Sequence, residues 1–168
     1  MKFITVCFLV AGASPAFAID SCLVGLWEAD SADLAHVMGS QMPPGGSMQY
    51  VSGRVSIEIT NTGTMTLLSE DFKVMSIMPD TPATAITING YSQGAMNADD
   101  GRNYVANVPE YDLLASADVL GHTFEISAAE LSGGVWGQSI GIYGCSGDSV
   151  SFEANQPGSI PRLWTRVR

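Results

Sequence analysis

The sequence predicts an all-β protein, an antiparallel up-and-down β-barrel of about eight strands with one short N-terminal helix. Apolar and polar residues alternate with a period of two in several short segments, for example Val55–Thr60. Turn residues separate these segments, and no repeat of fixed period interrupts them. Many short strands in one domain form a sandwich or a barrel, and closure into a barrel removes exposed sheet edges.

The clearest predicted element is a hairpin. Val55–Thr60 and Thr64–Leu68 are strand segments, and Asn61–Gly63 between them forms a turn in which glycine is free to adopt positive φ. Leu113–Leu120 fits either a strand or a short helix. The other predicted strands are Phe72–Met78, Thr84–Gly90, Tyr104–Val105, His122–Ser127, Ser139–Cys145, Ser149–Glu153 and Arg162–Val167.

One short helix is predicted before the hairpin. Asp30 or Ser31 can cap its first turn, because short polar side chains accept hydrogen bonds from free backbone N–H groups. Leu34, Val37 and Met38 follow at the spacing that places apolar residues on one helix face. We therefore expect this helix to pack against the sheet through that face.

The first 18 residues resemble a cleavable export signal. Lys2 is followed by the apolar run Phe3–Ala13 and by the small-residue pattern Ala16–Ala18. The run is about half the length of roughly 20 residues that spans a bilayer, so no membrane anchor is expected. Cleavage after Ala18 would leave residues 19–168 as a single domain in the periplasm or the extracellular medium.

The composition is strongly acidic. The whole chain has a formal charge of −10, and loss of Lys2 with the leader makes the mature chain one charge more negative. Such a surface repels nucleic acid and anionic lipid headgroups, so neither is an expected partner. The acidic residues are scattered along the chain, which is typical of a solvated surface.

Cysteine usage fits an exported chain. Cys7 lies in the leader, which leaves Cys22 and Cys145 as a pair. In an oxidising compartment such a pair is expected to form a disulfide. The sequence has neither the paired-cysteine nor the paired-histidine spacing of a structural zinc site, so no metal is predicted.

A family resemblance rests on the mature N-terminus. The segment Gly25–Trp27 resembles the Gly-x-Trp opening of lipocalins, and Tyr143–Phe152 resembles the last hairpin of small lipocalin-like domains. In that family the tryptophan lies at the base of the barrel and an arginine from late in the chain packs over it. The resemblance implies that role for Trp27, with Arg162 or Arg166 as the covering arginine. An N-terminal disulfide to a late strand would fit as well.

No catalytic constellation is evident, and no cofactor is predicted. His36 and His122 are the only histidines; His36 is expected on the polar face of the helix and His122 at the turn before a strand. Asp99 and Asp100 are neighbours at a predicted turn, where carboxylates are usually solvated rather than opposed across a cleft. We therefore expect the protein not to be an enzyme.

Methionine is unusually frequent near the helix. His36, Met38, Met42 and Met48 lie close together in the sequence, and thioether and imidazole ligands can select Cu(I) outside the cytoplasm. The favoured alternative is that methionine is a flexible apolar filler of a binding site. A copper-handling protein is therefore the least favoured of the binding hypotheses.

The sequence predicts an exported, monomeric binding protein for a small apolar molecule. The candidate lining residues, chosen by type and alternation, are Met38, Met42, Phe72, Tyr91 and Phe124. The alternative is a protein-interaction or inhibitor module with a filled barrel, which would contact its partner through the Met42–Met48 loop. The two differ in the interior: glycines at 137, 141 and 144 would leave room there, whereas inward-facing Trp136 and Tyr143 would fill it.

Overall fold

A computed structural model describes residues 19–99, 102–119, 121–127 and 134–167. The predicted leader, with Cys7, lies outside the described residues, as do two residues of the turn predicted at 99–101. Cleavage after Ala18 therefore remains a prediction. No helix in the described part of the chain is long and apolar enough to cross a bilayer.

The described residues form nine strands and one helix. In chain order they are β1 (Gly25–Ala29), α1 (Ser31–Ser40), β2 (Ser47–Ile59), β3 (Thr64–Ile77), β4 (Thr84–Ala98), β5 (Asn103–Val119), β6 (His122–Ser127), β7 (Ser139–Ser146), β8 (Ser149–Ala154) and β9 (Leu163–Arg166).

Eight of these strands close into an antiparallel barrel, as predicted. The sheet runs in the order β4-β3-β2-β1-β9-β8-β7-β5, and a further pairing of β4 with β5 closes the ring. Strands of the ring that follow one another in the chain are also neighbours in the barrel, and β5 and β7 are neighbours although β6 lies between them in the chain. β6 stands outside the ring, because β5 pairs with β7 near its start and with β6 near its end.

Strand β5 thus divides the molecule into two parts. Asn103–Ala106 pair with β7 and belong to the closed barrel, whereas Leu114–Val119 pair with β6. The segment Leu113–Leu120, which fitted strand or helix, is a strand as far as it is described. The start of β2, the end of β3, the start of β4 and the end of β5 pair with one another, and together with β6 they extend the sheet beyond the barrel mouth.

The predicted hairpin is confirmed, but its strands are longer than the alternation indicates. β3 is one strand that contains both Thr64–Leu68 and Phe72. A register shift between Ser69 and Phe72, with a positive φ of 47° at Asp71, interrupts the alternation between them. Gly53 lies opposite this irregularity, and a Cβ there would fall 2.0 Å from the Asp71 carbonyl oxygen. Such β-bulges interrupt the period of two without ending a strand.

Helix α1 forms as predicted and covers one side of the barrel mouth. The side chain of Asp30 accepts hydrogen bonds from the backbone N–H groups of Ala32 and Asp33, as an N-cap does. Leu34 and Met38 are buried, and the helix packs on the start of β2. The predicted stripe therefore points into the core.

Candidate functional site

The base of the barrel is closed by Trp27 and Arg166. Trp27 is 1% exposed, and its indole N–H donates to the Leu23 carbonyl oxygen at 2.8 Å. The guanidinium carbon of Arg166 lies 4.0 Å from the centroid of the Trp27 ring. The same guanidinium donates to the carbonyl oxygens of Val24 and Cys22, each at 2.9 Å. A cation over an indole face is attractive, and more so where water is excluded.

Gly25 makes room for this arrangement. Its φ is +138°, and a Cβ at this position would lie 2.5 Å from Nη1 of Arg166. A side chain here would therefore strain the backbone and displace the guanidinium from Trp27. The geometry gives a physical reason for glycine two residues before the tryptophan.

Arg162, the other predicted candidate, serves a different purpose. Its guanidinium pairs with the Asp33 carboxylate, and this ion pair links the residue before β9 to helix α1. The hydrogen bond from Arg162 to Asp33 raises the pKa of the arginine. Arg166 covers the tryptophan because the pairing of β9 with β1 places it directly opposite Trp27, whereas Arg162 precedes β9.

The predicted disulfide between Cys22 and Cys145 is confirmed, with 6.2 Å between the two Cα atoms. It joins the segment before β1 to β7, next to the barrel base. The hydroxyl of Tyr143 in β7 lies 2.7 Å from Oδ2 of Asp20 and 2.6 Å from the Asp99 carbonyl oxygen. A covalent bond and polar contacts therefore hold the N-terminal segment against the barrel.

The barrel interior is filled by large side chains. Tyr104 and Phe152 meet edge to face with ring centroids 5.0 Å apart, and the Tyr104 hydroxyl lies 2.9 Å from Oγ of Ser139. Burial raises the pKa of Tyr104. The largest fully buried side chains in the described part of the chain include Trp27, Trp136, Trp164, Tyr104, Phe72 and Phe152.

A short segment at 134–138 plugs the barrel mouth. Trp136 is fully buried, and its ring meets Phe72 edge to face at 6.3 Å. The Ser92 hydroxyl donates to the Trp136 carbonyl oxygen at 2.6 Å, and the backbone N–H of Gly137 donates to the carbonyl oxygen of Ser159. The indole N–H of Trp136 has no hydrogen-bond partner among the described residues, so burial and ring packing hold this side chain.

The predicted lining residues do not come together around one cavity. Met38 and Phe72 are buried in the core, and Met42 is partly buried in the loop after α1. Tyr91 faces outward, because the alternation that places Ile88 inside places Tyr91 outside. Its hydroxyl donates to Oε1 of Glu110 at 2.9 Å, and this hydrogen bond raises the pKa of the tyrosine.

Phe124 lies on the predicted face but is not enclosed. Cross-strand partners share one face of a sheet, and the register places Phe124 beside Ala117, which in turn lies beside Ile86. Ile126 lies likewise beside the buried Ala115. This face continues the barrel interior, yet Phe124 is 55% exposed and Ile126 is 42% exposed. We call Phe124, Ile126 and their strand β6 the overhang.

The methionine-rich region is divided between the surface and the core. His36 is exposed on α1, whereas Met38 is buried on the same helix. A Cβ on Gly46 would contact the Met42 Cβ and the Met78 sulfur, so the loop folds onto the end of β3. No group of three or more His, Cys, Asp or Glu side chains among the described residues is placed to hold a metal ion.

One cleft lies at the side of the barrel. It has a volume of about 600 Å³ and lies where β5 and β7 diverge, beside Val105, Val135 and Ile140. Val105 and Ile140 are directly opposite each other and are exposed on the outer surface. The cleft is open to solvent, and the buried residues Ala106 and Ser139 also line it.

The fold and the base together define a closed, eight-stranded antiparallel β-barrel with a tryptophan–arginine base, a disulfide and a filled interior. No protein-family model, curated protein or solved structure matches the chain. The function must therefore be inferred from the geometry.

Proposed function

We propose that the mature protein is an exported, non-catalytic binding protein that contacts a protein partner through its outer surface. The observation that carries this proposal is the filled interior. Trp136, Phe72 and Tyr104 occupy the space that a small ligand would need, and each is fully buried. A ligand site normally needs a concavity of a few hundred Å³ that encloses most of the ligand.

Two further observations support the proposal. The disulfide between Cys22 and Cys145 fits a non-reducing compartment outside the cytoplasm. The arrangement of Gly25, Trp27 and Arg166 is the one that the lipocalin resemblance implies at a barrel base. Small barrels of this kind serve many different binding functions, so the fold alone does not identify the partner. The Met42–Met48 loop remains one predicted contact region.

In a second candidate function, the protein binds a small apolar ligand at the barrel mouth. The overhang favours this candidate, because Phe124 and Ile126 stand on the face that continues the barrel interior and are exposed. A ligand held there would lie against the sheet rather than inside the barrel. The site would be shallow, and its ligand would remain partly in contact with solvent.

Titration with a hydrophobic dye distinguishes the two candidates. The oxidised protein is titrated with the dye ANS, followed by displacement with fatty acids. We expect no saturable, displaceable binding to the unmodified protein, because large side chains fill its interior. Displaceable binding to the unmodified protein that is lost in Phe124→Ser would favour the small-ligand candidate.

A further inference from the structure

Strand β6 ends the sheet. It pairs with β5 from Leu114 to Val119, and no other described strand pairs with its free side. The stretch His122–Ile126 gives an edge about 17 Å long at the usual rise per residue. An open edge carries backbone groups that can pair with another chain, and proteins commonly protect such edges with lysine, proline or a bulge. β6 contains no lysine or proline, and its register with β5 has no bulge.

The inner face of this edge is apolar and uncovered. Phe124 and Ile126 stand on it, and an added strand would place its own alternate side chains beside them. Ala115 and Ala117, the neighbours on β5, are small, so the two larger side chains project above them. Contact with apolar side chains would bury the exposed parts of both.

The outer face of the same edge is acidic. Glu125 is exposed on β6, and Asp118 lies on β5, where its carboxylate accepts a hydrogen bond from the Thr123 hydroxyl at 2.7 Å. Glu110 and Asp112 continue the acidic surface along β5. The sequences of β4, β5 and β6 contain no lysine or arginine. An incoming strand with basic side chains on this face would meet opposite charge.

We propose that β6 accepts an added strand from a partner polypeptide, an extended segment in which apolar and basic residues alternate. The backbone of the segment pairs with the free edge of β6. Its apolar side chains contact Phe124 and Ile126, and its basic side chains face Glu125. This inference rests on the proposed function, in which the partner is a protein, and it names the surface and the chemistry of that partner.

A second copy of the same chain is a poorer occupant. Two copies each carry a formal charge of −10, so their approach is opposed by long-range repulsion. Antiparallel pairing centred on Glu125 would also place the two Glu125 carboxylates directly opposite each other, and like charges in that position are destabilising. A basic partner meets neither obstacle.

The test uses three synthetic peptides of roughly eight residues, long enough to cover the edge. The first peptide alternates lysine with valine, and the second alternates glutamate with valine. The third contains the same residues as the first, arranged as one block of lysine followed by one block of valine. We expect only the first to bind the full mature protein, with weaker binding at high salt. Binding should slow hydrogen exchange at the backbone amides of β6, because strand addition protects them.

Two variants and two matched controls locate the site. Ile126→Lys should weaken binding of the lysine peptide by about tenfold or more, and Glu125→Lys should reverse the preference toward the glutamate peptide. Ile140→Lys and Glu153→Lys change equally accessible positions on β7 and β8 and should leave binding unchanged. Binding that survives Ile126→Lys, or that protects no amide of β6, would overturn the inference.

The remaining outcomes separate this inference from the proposed function. A concentration-dependent dimer that Ile126→Lys abolishes would make a second copy the occupant and would overturn the basic partner. A protein complex isolated from the natural source that tolerates Ile126→Lys would overturn this surface and leave the proposed function intact. Isolation with a bound small apolar molecule and no protein would overturn the proposed function itself.

Discussion

Substitution of Gly25 by alanine tests the barrel base. The new Cβ would lie 2.5 Å from Nη1 of Arg166, and φ at this position is +138°. Backbone strain at such a φ costs about 1–2 kcal/mol for a residue with a side chain. Displacement of the guanidinium would forfeit a cation–π contact with Trp27 of about 0.5–2 kcal/mol. It would also weaken two charge-assisted hydrogen bonds that are partly exposed to solvent. We expect the free energy of unfolding to fall by about 3 kcal/mol in total.

The assay is urea unfolding of the oxidised protein, followed by tryptophan fluorescence, with two comparisons. Gly121→Ala is the matched control, because Gly121 has φ +82° and a Cβ added there would meet nothing within 4 Å, so it reports backbone strain alone. In an Arg166→Ala background, Gly25→Ala should cost only about 1–2 kcal/mol, since the clash is gone. Equal costs of Gly25→Ala in the two backgrounds would refute the role given to Arg166.

Three further experiments have defined outcomes. Replacing Cys22 and Cys145 together by serine should lower the free energy of unfolding by about 4–5 kcal/mol on the chain-entropy model, and a loss below about 1 kcal/mol by urea unfolding would contradict a structural role. Ser92→Ala should cost about 1–3 kcal/mol by the same assay, because it leaves the buried Trp136 carbonyl oxygen without its donor, and an unchanged midpoint would contradict the contact. The protein should not bind Cu(I) tightly in a competition assay with a chromogenic chelator, and tight binding that Met42→Ala abolishes would contradict this.

The elements predicted correctly from sequence are those whose signals are local. Asp30 caps α1 because an N-cap needs only the next turn of backbone. The β2–β3 hairpin follows from alternation on both sides of a glycine turn. The base was predictable through a motif, although Arg162 and Arg166 could not be separated before the start of β9 was known.

The features that the sequence left open depend on distant contacts. The segment at 134–138 has no strand or helix pattern, so nothing local places Trp136 inside the barrel against Phe72. Alternation places Phe124 on the inner face, but whether anything covers that face depends on where β5 leaves β7 for β6. Sequence periodicity therefore predicts which way a side chain points and does not predict whether it is buried.

Native mass spectrometry of the mature protein from its natural source tests the central claim most directly. The claim is that the filled barrel functions by binding a protein at its surface. It predicts a complex with a second polypeptide, and a barrel chain whose mass after dissociation corresponds to the disulfide-bonded form with no small molecule attached. A barrel chain that instead carries one small apolar molecule in stoichiometric amount, with no protein partner, would contradict the claim.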